Sequence, residues 1–196
     1  MQSLYISNNR NQIVNLETFN KYLNQKKIKN SNYSLNFFYS NDNDSIVTSN
    51  DTTYISLGVL IYKNHFNINA LKLIVKDIEN KNKIEEILLS EKIRGQFAVI
   101  IIKNETVKII TDRLGYFGLY LYKGNNEIAI SNSIISLGKN NKTSLNYMGI
   151  AQYLSENYKY LTYACCDQNI FNEITYLEPG SIYELKNKNI SLIKYF

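Results

Sequence analysis

The side chains able to serve as nucleophile, base or metal ligand are few and poorly spaced for one another. The chain has one histidine, His65, and two cysteines, Cys165 and Cys166, which are adjacent. Thiolate metal sites want a gap such as C-x-x-C and a second ligand pair, so no metal centre is expected. The two cysteines read as reduced thiols of a cytoplasmic protein, with a strained vicinal disulfide as the alternative. His65 has no serine or cysteine visibly paired with it for a triad and reads as an ordinary strand-end residue. The densest basic run, Lys26-Lys27-Ile28-Lys29, reads as the solvated end of a helix. Nucleic-acid binding would need a denser stripe with a recognition motif, so nucleic acid is not an expected partner.

The 196 residues suffice for one domain with a hydrophobic core, at 44% hydrophobic and 20% charged residues with a net charge of +5. Asn, Lys and Ile recur in the manner of an AT-rich, bacterial coding bias. The N-terminus has no apolar run of signal-peptide length and no segment is long enough to span a bilayer. A cytoplasmic protein with no membrane partner is expected.

The elements that must position any site follow from periodicity. Leu4-Tyr5-Ile6 reads as a strand. Leu16 to Lys27, with Leu16, Phe19 and Leu23 at helical spacing, predicts an amphipathic helix. Ser34 to Ser40 reads as a strand, Asn41 to Asp44 as a turn, and Ser45 to Ser49 as the hairpin partner. Thr53 to Tyr62 is a long strand. Ile68 to Asn80 is a helix whose Leu71, Ile74, Val75 and Ile78 share a face, and a second helix carries Ile84, Ile87 and Leu88. Phe97 to Ile102, Val107 to Ile110, Phe117 to Tyr122 and Glu127 to Ile130 predict a meander of four strands. A helix over Asn146 to Glu156, a loop with the cysteines and a hairpin over Ser181 to Tyr195 complete the chain. The sum is an α+β domain rich in antiparallel strands.

Five short segments stand in a telling order. They are Gly95-Gln96-Phe97-Ala98, then Asp112-Arg113-Leu114-Gly115 leading to Leu119-Tyr120, then Ser131-Asn132 leading to Leu137, then Ile170-Phe171, then Leu177-Glu178-Pro179-Gly180. The carboxylate and guanidinium of Asp112 and Arg113 are suited to pin the loop that follows. Gly115 suits a backbone angle that other residues resist, and Pro179-Gly180 sets up the final hairpin. From about Gly95 to Phe196 the order and gaps resemble the N-terminal glutaminase-type domain of the asparagine synthetase family. The resemblance implies a class II glutamine amidotransferase domain: an Ntn-hydrolase-like sandwich of antiparallel sheets flanked by helices. Gly58, Gly95, Phe97, Asp112, Arg113, Gly115, Leu119, Tyr120, Ser131, Pro179 and Gly180 are its shared fold landmarks, and none of the five segments from Gly95 onward is catalytic in the family.

The same resemblance implies that the chemistry is gone. The family's nucleophile is a cysteine at position 2 whose own amine is the base; here the chain reads Met1-Gln2-Ser3. The family's N-G-E-I-Y-N segment supplies the oxyanion hole, and its counterpart Leu57-Gly58-Val59-Leu60-Ile61-Tyr62 keeps Gly58 and Tyr62 but puts Leu57 in place of the amide. Losing one such donor costs about a hundred- to a thousand-fold in rate. The arginine segment that holds the substrate carboxylate has no counterpart between Lys29 and Ser49. The acidic residue that precedes G-x-F-A and holds the substrate amine has only Asp77 and Glu79 as distant stand-ins.

No catalytic, cofactor or metal residue is therefore expected in this chain. The resemblance implies a scaffold or binding domain for an ATP-dependent, asparagine-synthetase-like domain or subunit, as in the nucleophile-less β-lactam synthetases and lasso-peptide macrocyclases. ATP and Mg would belong to that partner, because S-G-G-x-D is absent here, and a peptide is a further candidate partner. The apolar finish Ile190, Leu192, Ile193, Tyr195 and Phe196 is where the partner is expected to pack, or else completes the domain's own sheet. The alternatives are a freestanding regulatory or peptide-binding module and an amidohydrolase with Ser3 or the cysteine pair as nucleophile.

Overall fold

A computed structural model describes residues 2–9, 24–39, 45–80, 83–90, 92–154 and 169–196. Among them two antiparallel sheets lie face to face. The first sheet contains β1 (Gln2–Ser7), β2 (Asn24–Lys29), β3 (Ser34–Tyr39), β9 (Tyr120–Lys123), β10 (Ile128–Ser131) and β11 (Ile174–Tyr176) in the order β11-β9-β10-β1-β3-β2. The second contains β4 (Ile46–Ser49), β5 (Thr52–Tyr62), β7 (Ile93–Lys103), β8 (Thr106–Thr111), β12 (Ser181–Lys186) and β13 (Asn189–Lys194) in the order β13-β12-β8-β7-β5-β4, with the short β6 (His65–Phe66) on β5.

Strand alternation builds the layers. Leu4 and Ile6 of β1 and Leu35 and Phe37 of β3 point between the sheets. There they meet Ile55 and Leu57 of β5 and Ala98, Ile100 and Ile102 of β7. The opposite set on the second sheet, including Tyr54, Leu60, Phe97 and Val99, packs under α1 (Asn67–Glu79) and α2 (Ile84–Leu89). On the outer face of the first sheet, Tyr5, Tyr122 and Ala129 meet Leu137 of α3 (Ile134–Asn140). The outcome is the expected α+β sandwich of antiparallel sheets flanked by helices.

Three sequence expectations need correction. Lys26, Lys27 and Lys29 stand on the outermost strand β2, paired to β3, and not at a helix end; lysines on an edge strand discourage pairing with another chain. The remainder of the helix expected over Leu16 to Lys27 and the turn at Asn41 to Asp44 lie outside the described residues, as does the cysteine pair. β4 is the partner of β5 in the second sheet, not of β3. The four-strand meander is two hairpins in different sheets. β7 pairs β8 in the second sheet and β9 pairs β10 in the first, because the loop after Asp112 carries the chain across the sandwich. The element α4 (Tyr147–Leu154) falls within its expected helix. By contrast, α3 was not expected, although Ser133 caps it by accepting a bond from the Ser136 N–H at 3.2 Å.

Candidate functional site

The site lies where β1 opens toward the middle of β5. Gly58 has φ +75° and Gly95, near it on the paired strand β7, has φ +114°. A Cβ on Gly58 would stand 2.2 Å from the Gln96 carbonyl oxygen and 2.7 Å from the Phe117 ring, and one on Gly95 would stand 2.0 Å from the Val59 oxygen. Only glycine fits at either place. The Gly58 N–H donates to Gln2 Oε1 at 2.8 Å. The Gln2 side-chain amide in turn donates from Nε2 to the Ser45 hydroxyl. Both ends of the Gln2 amide are thus held by the protein itself.

Asn132 fixes the strand that carries Gln2. Its Nδ2 donates to the Gln2 carbonyl oxygen at 3.1 Å, and its Oδ1 accepts from Leu4 N at 2.9 Å and from the Ser3 hydroxyl at 3.3 Å. Beside it, the buried Ser131 hydroxyl donates to the Leu4 carbonyl at 2.6 Å. Ser3 therefore donates its hydroxyl to an amide oxygen, which is not a base.

The position next to Gly58 belongs to Leu57, which is fully buried between the sheets. Burial of such a side chain contributes roughly 1.5–3 kcal/mol to folding, and it offers no second donor toward Gln2. Asp77 and Glu79 lie on α1, away from Gln2. Asp77 accepts from Lys63 Nζ and the Tyr62 hydroxyl, both at 2.7 Å, and Glu79 bonds Ser49 and Asn50. The Lys63 hydrogen bond, followed by that from Tyr62, lowers the Asp77 pKa. The residue directly before Gly95 is the cationic Arg94. His65 is exposed, its Nδ1 within 2.9 Å of the Lys63 carbonyl. Among the described residues no cluster of His, Cys, Asp or Glu could hold a metal ion.

The remaining landmarks form a second joint. Asp112, almost fully buried, accepts three backbone N–H bonds, from Leu114 and Tyr116 on Oδ1 at 3.0 and 3.1 Å and from Phe117 on Oδ2 at 2.8 Å. Its carboxylate pins the following loop, as expected. Arg113 does not. Its Nη2 donates to the Leu88 and Ser90 carbonyls at 2.7 Å each, and its guanidinium lies 5.3 Å from the Phe196 ring centre. It ties α2 to the end of the second sheet. Gly115, at φ +68°, packs on Pro179, and the Gly180 N–H donates to the Asp112 carbonyl at 2.9 Å. Leu119 is buried between the sheets and the Tyr120 ring meets Tyr176 edge-on at 5.5 Å.

A family model described as a glutamine amidotransferase domain matches residues 85–196, more than half of the chain. The chain belongs to that family. Similar solved structures include a glutamine phosphoribosylpyrophosphate amidotransferase from B. subtilis, complexed with ADP and GMP, at 11% identity and a TM-score of 0.43. Another is described as the allosteric regulatory enzyme of purine biosynthesis, at 9% identity and a TM-score of 0.44. Each alignment covers 84% of this chain and 35% of the other, so the chain spans about a third of their length. No curated protein matches. Among the described residues no helix is long and apolar enough to cross a membrane.

Proposed function

We propose that this chain is a catalytically silent glutamine-amidotransferase-type domain of an asparagine-synthetase-type system that makes amide bonds with ATP. It serves as scaffold and binding module for a synthetase or macrocyclase domain or subunit, in peptide or natural-product assembly. One observation carries the reading. The side chain bonded to Gly58 N–H, at 2.8 Å, is the carboxamide of Gln2, where the family places its nucleophile. A carboxamide is neither nucleophile nor base, and its oxygen takes the backbone donor that a substrate's developing oxyanion would need. The complete burial of Leu57 supports the same reading, since it removes the second donor.

The ATP and Mg of such a system belong to the partner. The test has two arms. Glutamine incubated with the purified chain should release ammonia no faster than in buffer. The chain should also co-purify with the ATP-dependent synthetase encoded beside it or continuous with it. Ammonia release above the buffer rate would overturn the catalytic part, and a synthetase that neither binds nor adjoins the chain would overturn the scaffold part.

A further inference from the structure

Among the described residues the outermost strands of the two sheets are β2, β11, β4 and β13. The first three are guarded against pairing with another chain. β2 carries Lys26, Lys27 and Lys29, β4 has only 4 residues and β11 only 3. Charge and shortness both keep an edge from recruiting a strand. β13 has neither safeguard. It runs for 6 residues, is paired on one side only, to β12, and carries Ile190, Leu192 and Ile193. Its one charged residue, Lys194, is bonded to Glu178 at 2.6 Å.

The hydrogen-bond phase shows what this edge offers. The N–H groups of Tyr195 and Phe196 both donate to the Gly180 carbonyl, at 2.9 and 3.2 Å. Backbone groups of an antiparallel strand alternate between its two sides, so the N–H and C=O of Ile190, Leu192 and Lys194 point away from β12. Among the described residues no strand takes them. Leu192 shares the face of its neighbour Tyr183 and is 41% exposed, while Ile193 shares the opposite face with Ile182 and is 49% exposed. A strand added here must therefore bring apolar side chains to both faces. β13 itself has that pattern, with Ile190 and Leu192 on one face and Ile193 on the other.

We propose that β13 pairs antiparallel with β13 of a second copy of this chain, about a two-fold axis at Leu192. A two-fold interface needs a surface complementary to itself, and charge selects the register. An axis at Ser191 would set Lys194 against Lys188 of the second copy, and like charges directly opposite repel. An axis at Ile193 would set Ile190 against Phe196, beyond the end of the strand. The axis at Leu192 does neither. Leu192 then faces its own copy, Ser191 faces Ile193, and Ile190 faces the aliphatic stem of Lys194. The outward backbone groups of Ile190, Leu192 and Lys194 find partners, and the second sheets of the two copies join into one. The pairing goes beyond the scaffold reading and does not rest on it.

Sedimentation equilibrium of the intact chain over a concentration series should show monomer and dimer in mass-action exchange. Leu192→Lys and Leu192→Glu should each be monomeric at unchanged melting temperature, because this side chain stands at the open edge. Mixed in equal amounts they should dimerise, since the axis brings the two opposite charges together. Leu192→Pro reads the backbone. The N–H it removes points away from β12, so the fold should persist and the dimer should be lost. If the proline variant melts early, the mixed charge variants decide alone. A monomer at every concentration would overturn the proposal. A monomer that pairs only with the synthetase would overturn it too, and would give the edge to a foreign strand. A dimer that survives in both charge variants, or a mixture of them that stays monomeric, would do the same.

Discussion

At the residue scale the decisive contact is between Gln2 and Gly58. The sequence showed that position 2 is not a cysteine and that Leu57 replaces an amide. It did not show that the Gln2 carboxamide would itself sit on the Gly58 N–H, because that contact joins residues far apart in the chain and uses a side chain with no catalytic signature. We expect Gln2→Cys to leave glutamine hydrolysis at the buffer rate. The thiol would face one donor, with Leu57 buried and no arginine among residues 30–49 to hold the substrate carboxylate. Steady ammonia release by that variant would show that the pocket still recognises glutamine. Asp112 was legible as a loop-closing carboxylate, whereas the separate path of Arg113 to α2 was not, since adjacent opposite charges read naturally as one pair. We expect Asp112→Ala to cost about 3 kcal/mol, because three N–H groups lose their acceptor at a buried position. Urea denaturation measures this; a loss below about 1 kcal/mol would mean that water replaces the carboxylate.

At the scale of elements, local periodicity located most strands and both helices that cover the second sheet. It could not assign strands to sheets. A hairpin signal looks the same whether two hairpins share a sheet or face one another, so the loop after Asp112 went unrecognised as a crossover. Three lysines around Ile28 read as a helix end because edge strands and solvated helix ends are polar for the same reason, exposure to water. The two positive-φ glycines of the paired strands β5 and β7 are the element-scale feature most open to test. Alanine at Gly95 would need φ +114° and would place its Cβ 2.0 Å from a backbone oxygen. We expect Gly95→Ala to cost about 3 kcal/mol or more, or to prevent folding. Gly118, whose added Cβ would meet the Tyr176 ring at 3.3 Å, serves as the control and should cost about 1 kcal/mol or less. Similar melting temperatures for the two variants would show that β5 and β7 can separate at this point without loss.

For the molecule as a whole, the tyrosines set the limit of stability at high pH. The chain has 17 of them. Burial is the leading cause that raises the phenol pKa of Tyr33, Tyr54, Tyr62, Tyr122, Tyr176, Tyr183 and Tyr195. For Tyr62 the Asp77 hydrogen bond adds to burial, and for Tyr195 the Asp112 charge does so against an opposing effect of Arg113. All of these but Tyr176, which is exposed, are spread over the three apolar clusters, so their ionisation acts on the sandwich and not on one layer. A phenol whose folded pKa exceeds its unfolded value of about 10 binds its proton more tightly when folded. Its contribution is fully present below pH about 10 and is lost as pH rises toward the folded value. We therefore expect stability to fall steeply above pH about 10. Tyrosinate absorbance should rise in two parts, a gradual one from exposed rings and a cooperative one that coincides with loss of β-sheet circular dichroism. Tyr195→Phe tests a single contributor. It removes a buried hydroxyl that donates to the Thr111 carbonyl at 2.6 Å, so it should cost about 1 kcal/mol at neutral pH. It should also make the alkaline decline shallower, because one phenol no longer resists ionisation. A single gradual tyrosinate titration, complete before any loss of circular dichroism, would mean that these rings ionise in the folded sandwich and that their burial does not govern its alkaline limit.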